Sequence, residues 1–243
     1  MRQLAANGSR AFHEFKPIRS TPVEMGRVYR KVSYGPLLDL FVLDMRSYRD
    51  AFNAILGAEQ LAWLKRELGN SKATWKVIAA DLPIGVVNTD GPALGDGEPQ
   101  GREKEIAELL SFIKHAGITN MVWLTADQHY TAAHYYDPNR AVFQDFEPFW
   151  EFISGPLHAG TWTPSPLDNT FGPQLHYRKA CSKEQGDNLA PCFGMQFFGH
   201  VAIDGVTEVM TVTLKDVDDR DLWSTTIEPA RDKWSGDVSS ARG

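Results

Sequence analysis

Where an apolar run ends in Thr125-Ala126-Asp127-Gln128-His129, a carboxylate and an imidazole stand two residues apart. On an extended segment, side chains two apart point to the same side, so Asp127 and His129 could converge on one metal ion. The competing account is a surface loop with a locally capped Asp127. Asp81, in Ala80-Asp81-Leu82-Pro83, is a further candidate ligand, or the cap of the turn before Pro83. Arg46, in Asp44-Met45-Arg46, could grip a phosphate oxygen with its planar fork, or its loop could be fixed by pairing Asp44 with Arg46 or Arg49. Ser154 and His158, in Ser154-Gly155-Pro156-Leu157-His158, invite a serine-hydrolase reading, but the chain has no Gly-x-Ser-x-Gly elbow. A pocket-lining loop, with His158 facing substrate or metal, suits that segment better. His134 reads as a packed or hydrogen-bonded residue, and Asn88 and Asp90 as turn formers in a glycine-rich loop.

These residues need a frame to hold them. RVYRKVSYG and LLDLFVLD are rich in β-branched and aromatic residues around a Tyr-Gly-Pro turn, which predicts a hairpin. Leu61, Leu64 and Leu68 share one helical face between Gly57 and Leu68, with Gly69-Asn70 as a stop. WKVIAA predicts a buried strand ended by Asp81-Leu82-Pro83. Ile106, Leu109, Leu110 and Ile113 predict a helix from Arg102 to His115 capped by Gly117. It leads into a strand from Asn120 to Asp127. Strand, helix and strand make a βαβ unit, whose ligands belong beyond the carboxyl ends of its strands. After Pro148, FWEFIS, FGMQFFGHVAI, EVMTVTL and LWSTTI predict strands without intervening helices, hence a β-rich and mainly antiparallel second half.

The bulk composition narrows the function. The chain has 243 residues, 42% hydrophobic and 23% charged, enough for one domain with a real core. Its net charge of -6, with no cluster of Lys and Arg, argues against nucleic acid or an anionic membrane as partner. A small anionic ester fits only if metal ions bring positive charge to the site. No apolar run reaches the roughly 18 residues of a membrane span, and the first residues hold no apolar signal core. Cys181 and Cys192 are read as free thiols, with a short disulfide loop as the alternative. The polar stretch 231–243 reads as a poorly ordered tail after a domain spanning 1–230.

The order LDMRSYR, GAEQLAWLKREL, WKVIAADLP, VWLTADQHYTAAHYYDP and FWEFISGPLHAGTW, within Phe12 to Trp223, resembles the PhoD-like alkaline phosphatase/phosphodiesterase family, a branch of the calcineurin-like metallophosphoesterases. The resemblance implies part of a four-layer α/β/β/α sandwich, with divalent or trivalent metal ions (calcium, iron, manganese or zinc) bound between its sheets. It also implies a small phosphate-ester substrate and a periplasmic or secreted setting. TADQH is similar to the last metal-binding motif of the superfamily, Gly-Asp-x-His, with Ala126 in the glycine's place. That similarity implies catalytic, metal-ligating roles for Asp127 and His129. Asp81 stands where a His-x-Pro would fall, as a third ligand with aspartate replacing histidine, and Gln60 to Leu64 resembles a structural helix of the superfamily. Arg46 and His158 are the substrate-facing candidates.

The superfamily's Gly-Asp-x-x-Asp and Gly-Asn-His-Glu motifs occur nowhere in these residues. The expectation is therefore a carboxy-terminal part of the fold, binding metal weakly and turning over little or nothing alone, completed by an amino-terminal portion or by self-association. The alternative is a non-catalytic remnant serving as a binding or assembly module.

Overall fold

The computed structural model describes residues 2–18 and 26–230; the expected tail at 231–243 lies outside them. The Tyr-Gly-Pro turn does join a hairpin: β1 (Arg30–Tyr34) pairs antiparallel with β2 (Leu38–Val42). Helix α2 (Ala58–Asn70) buries Leu61, Leu64 and Leu68 as their spacing requires. Helix α3 (Glu103–His115) buries Ile106, Leu109, Leu110 and Ile113. Gly117, at φ 64°, ends α3 in a left-handed turn that side chains resist. That turn lets the Gly117 and Ile118 N–H groups cap the Lys114 and Ile113 carbonyls, each at 3.0 Å.

Strands β3 (Trp75–Ala79) and β4 (Met121–Thr125) flank α3 and pair in parallel, completing the βαβ unit. The seven-stranded sheet runs β1-β2-β3-β4-β6-β5-β7, with β5 spanning Thr131–Tyr136, β6 Phe149–Ile153 and β7 Pro173–Lys179. Strands β2, β3, β4 and β6 are parallel neighbours, so their carboxyl ends open on one edge of the sheet. A three-stranded antiparallel sheet follows, from β8 (Phe197–Ile203), β9 (Met210–Asp216) and β10 (Asp221–Ile227).

Alternation along each strand sends side chains to two cores. Ile78, Trp123 and Phe149 pack with Leu64, Ile106 and Leu109 beneath the helices. Trp75, Val77, Val122 and Phe152 pack on the other face against Met210, Val212 and Leu214 of β9. Helices, large sheet and small sheet are the three layers among the described residues, a mixed α/β arrangement. No described helix is long and apolar enough to cross a membrane.

The second half is mainly antiparallel, as its sequence predicts, with β6 also lying parallel to β4. β5 and β7 are additional strands: β5 has polar His134 and Thr131 among its buried residues, and β7 is a polar edge, which hides both from a search for apolar runs. Helix α1 (Arg2–Phe15) is also additional.

Candidate functional site

Three successive parallel strands run out into aspartates: Asp44 after β2, Asp81 after β3 and Asp127 after β4. Asp44 is spent locally. Its Oδ1 accepts the N–H groups of Arg46 at 3.0 Å and Ser47 at 2.8 Å, a turn formed by its own side chain. Gln60 of α2 clamps the Asp44 backbone, accepting its N–H and donating to its carbonyl, both at 2.8 Å. This buried clamp orients the loop that carries Arg46. The expected pairing of Asp44 with Arg46 or Arg49 is not what fixes that loop.

Arg46 instead reaches across the strand ends. Its Nη1 donates to Asp90 Oδ2 at 2.8 Å and its Nη2 to Asp127 Oδ1 at 2.8 Å, while Nε lies 3.9 Å from Asp81 Oδ2. Arg49 adds a second cation, with Nη1 2.7 Å from Asp90 Oδ1. Hydrogen bonding to Arg46, then to Arg49, holds the Asp90 carboxyl below its usual range, and the bond to Asp90 in turn raises Arg46. Burial pushes Asp81 the other way, upward, although it accepts the Met45 N–H at 3.0 Å. Buried Arg102 secures the Asp90 loop by donating to the carbonyls of Thr89 and Asp90, each at 3.1 Å.

Beside the clasp lies an open cleft of about 660 Å³, whose walls include Asp90, Asp127, His129, Trp162 and Asp187. Asp127 and His129 thus line one cleft, but not as an extended pair. Both have positive φ, 65° and 54°, and the segment between β4 and β5 is a bend. Alternation along a strand therefore does not govern where they point. The side chain of Asp127 goes to Arg46, while His129 Nδ1 lies 2.5 Å from the Gly160 carbonyl. A carbonyl can only accept, so Nδ1 holds a proton, and Nε2 is the ring nitrogen left for any ligand.

The other candidates fare differently. His158 is exposed and is not among the residues lining the cleft. Ser154 has no contact with it among the described hydrogen bonds. His134 is buried against Glu151 at 3.3 Å, the hydrogen-bonded role expected of it. Asn88 does shape the turn, accepting the Asp90 N–H at 2.8 Å. Asp90 does more than turn the chain, and its capture by Arg46 and Arg49 over a long loop leaves no mark in local spacing. Among the described residues, no three His, Cys, Asp or Glu side chains gather as a metal cage. Cys181 is buried and Cys192 exposed, both as free thiols.

The comparisons agree on one family. The sequence profile of PhoD-like phosphatases matches residues 1–214. Alkaline phosphatase D of Bacillus subtilis (strain 168) is 33% identical over 178 residues, covering 62% of this chain and 29% of that protein. A solved structure described as the structure of PhoD superposes with a TM-score of 0.53 at 22% identity, over 91% of this chain and 49% of that one. This chain therefore spans half or less of the length of the relatives it matches. With the profile covering most of the sequence and the mixed sheet of the solved structure shared, the chain belongs to the PhoD-like phosphatase family.

Proposed function

We propose that this chain forms the carboxy-terminal part of a metal-dependent hydrolase of phosphate mono- or diesters, in which Asp127 and His129, with Asp81, contribute metal ligands. The observation that carries the reading is the convergence of Asp81 and Asp127, from adjacent parallel strand ends, on Arg46 beside the cleft that His129 lines. Strand ends of this kind are where an α/β sheet places its ligands. The cleft's acidic wall supports the metal requirement, because a phosphate ester meets Asp90, Asp127 and Asp187 there and needs cations to offset them.

The residues present do not make a metal cage alone. His129 keeps Nε2 clear of its Gly160 bond, but the Asp127 carboxylate is engaged by Arg46, and among the described residues Asp127, His129 and Asp81 do not gather closely enough to hold an ion. In this reading the remaining ligands come from protein outside these residues, which also completes the four-layer sandwich. The ion is calcium, iron, manganese or zinc, the substrate is a small phosphate ester approached by Arg46, with His158 outside the cleft's walls, and the intact protein works in the periplasm or outside the cell. A two-ion site activates water and neutralises the phosphoryl oxygens only when both ions are held close together, so the isolated chain should be weakly active or inactive. The clasp of Arg46 on the carboxylates also favours a second reading, a non-catalytic remnant whose acidic strand ends are permanently neutralised.

Assays of aryl phosphate mono- and diesters across the four metals separate the two. The hydrolase reading expects trace, metal-stimulated turnover that Asp127→Asn and His129→Gln abolish. Turnover that survives chelation and both substitutions overturns it, and complete inactivity with no metal uptake favours the remnant.

A further inference from the structure

Among the described tryptophans, Trp63, Trp75 and Trp123 are buried, and Trp150 and Trp223 pack against the core between the two sheets. Trp162 does neither. It is 45% exposed and stands in the wall of the open cleft that His129 also lines. A single exposed aromatic is ordinary on a protein surface, so the weight falls on how this one is held.

Both neighbours of Trp162 are fixed. Buried Thr161 exchanges backbone hydrogen bonds with Leu189 and donates its hydroxyl to the Met195 carbonyl at 2.8 Å. Thr163 gives its N–H and its hydroxyl to Asp187 Oδ1, at 2.8 and 2.6 Å. The Trp162 N–H donates to the His129 carbonyl at 3.3 Å, while the Gly160 carbonyl accepts from the His129 ring. Pro164 and Pro166 restrict the chain that follows. The backbone carrying the indole is therefore tied to His129 at two points. Among the described residues, the Trp162 ring stacks on no other ring and its indole N–H meets no acceptor. Asp90 and Asp127 of the same wall are paired with arginine and Asp187 with Thr163, which leaves the flat face of the indole for an uncharged ring.

We infer that Trp162 is a stacking platform that selects phosphate esters whose alcohol portion is a planar aromatic ring. This rests on the reading of the cleft as a phosphate-ester site, and it adds the class of alcohol. Arg46 bonds to Asp127 and Trp162 to His129. Those two positions are two apart in the chain, so their α-carbons are at most about 7 Å apart. A phosphoryl group and the ring esterified to it can bridge such a span, with the phosphoryl at Arg46 and the ring on the indole. An aliphatic alcohol of similar size would fill the same space without the face-to-face contact that aromatic rings gain.

The test is calorimetric titration of the 243-residue chain with 2-naphthyl phosphate, with cyclohexyl phosphate, which has the same charge but no planar ring, and with 2-naphthol, which is uncharged at neutral pH. The indole N–H resonance of Trp162 is followed in parallel. 2-Naphthyl phosphate should bind roughly tenfold tighter than cyclohexyl phosphate, the scale of one stacked ring. Both naphthyl compounds should shift the Trp162 resonance. Trp162→Ala should erase the preference between the two esters, and Trp162→Phe should keep most of it. Equal affinity of the wild type for the two esters overturns the platform while leaving the ester reading in place. A preference that survives Trp162→Ala overturns it as well, by placing the ring elsewhere. Binding of 2-naphthol without binding of its phosphate overturns the ester reading, and the assignment to esters falls with it. A larger shift of the Trp162 resonance with choline than with 2-naphthol would make the indole a cation site and overturns the platform too. Should Trp162→Ala fail to fold, the wild-type resonance and Trp162→Phe decide, and an indole N–H that stays in place with both naphthyl compounds overturns the proposal.

Discussion

The phenol of Tyr136 donates to Glu151 Oε2 at 2.7 Å and accepts the Gly85 N–H at 2.9 Å, joining β5 and β6 of the large sheet to the loop that follows Asp81. Glu151 meets that loop directly as well, accepting the Ile84 N–H at 2.8 Å, and His134 adds a contact from β5. All three side chains are buried. Burial, with Glu151 beside it, pushes the Tyr136 phenol far above its usual range, so it remains a donor throughout the accessible pH range.

Tyr136→Phe deletes a donor and an acceptor at once. Glu151 keeps Ile84 and His134, but the buried Gly85 N–H loses its acceptor. Such a loss costs about 1–3 kcal/mol, which for a domain of this size lowers the melting temperature by roughly 3–10 °C. A thermal melt followed by circular dichroism should show the drop. A change under about 1 °C would mean that the loop after β3 is anchored by other contacts.

Glu103 and Asp168 set a pH dependence of stability. Glu103 accepts the N–H groups of Leu94 and Gln100, at 2.8 and 2.9 Å, and Asp168 accepts those of Gly95 and Thr170, at 3.0 and 2.8 Å. Burial, reinforced by the Asp168 carboxyl, pushes Glu103 from 4.5 up to about 7. An acid whose folded value is raised keeps its proton better when folded, so its contribution fades as pH climbs from 4.5 to about 7. Burial alone would raise Asp168 too, but its bonds to Thr170, Glu103 and Gly95 leave it below 3.8, so its contribution is lost only as pH falls below that value. Glu103→Gln should therefore flatten the fall in melting temperature between pH 5 and pH 8. An unchanged slope would show that Glu103 does not titrate in that window.

Much of the fold is legible in local chemistry alone. The hairpin, α2, α3 and the βαβ unit follow from patterns confined to a dozen residues: Gly117 alone marks the end of α3, and Leu61, Leu64 and Leu68 mark the inner face of α2. Strand ends then located Asp81 and Asp127 correctly at the edge of the sheet. The arrangement of the site was not legible for a different reason. Arg46 meets Asp90 and Asp127 across 44 and 81 residues of chain, a pairing that depends on which strands become neighbours. The left-handed backbone at Asp127 and His129 replaced the extended geometry that their spacing suggested, so strand alternation does not set the directions of their side chains. The run TAAHYY that forms β5 is too polar to stand out as an apolar strand, although Ile153 and Glu151 of β6 give Thr131 and His134 buried partners.

The two cysteines should behave unequally. Cys181 is buried, and burial pushes its thiol above the usual value, which suppresses the reactive thiolate; Cys192 is exposed. A chromogenic disulfide reagent should label one thiol quickly in the native protein and the second only after unfolding. Two rapid equivalents would show that the segment around Cys181 opens readily, and none would indicate that the pair had oxidised.

Gly160 holds the imidazole of His129 through its carbonyl, in a loop cross-linked to the next by reciprocal Thr161 and Leu189 hydrogen bonds at 3.0 and 3.1 Å. A methyl group there would collide with the Asn188 side chain and approach its Cα to 3.1 Å, so the two loops must part. Overpacking of this kind costs about 1–3 kcal/mol. Gly160→Ala should thus lower stability modestly while disturbing His129 strongly, because the acceptor of its Nδ1 proton moves with the loop. The imidazole resonances of His129 are the direct readout, and they should shift or broaden in Gly160→Ala while those of buried His134 stay in place. If the His129 resonances match the wild type despite the added methyl, the Gly160 carbonyl is not what orients the ring, and Nε2 is not held ready for a ligand by that bond.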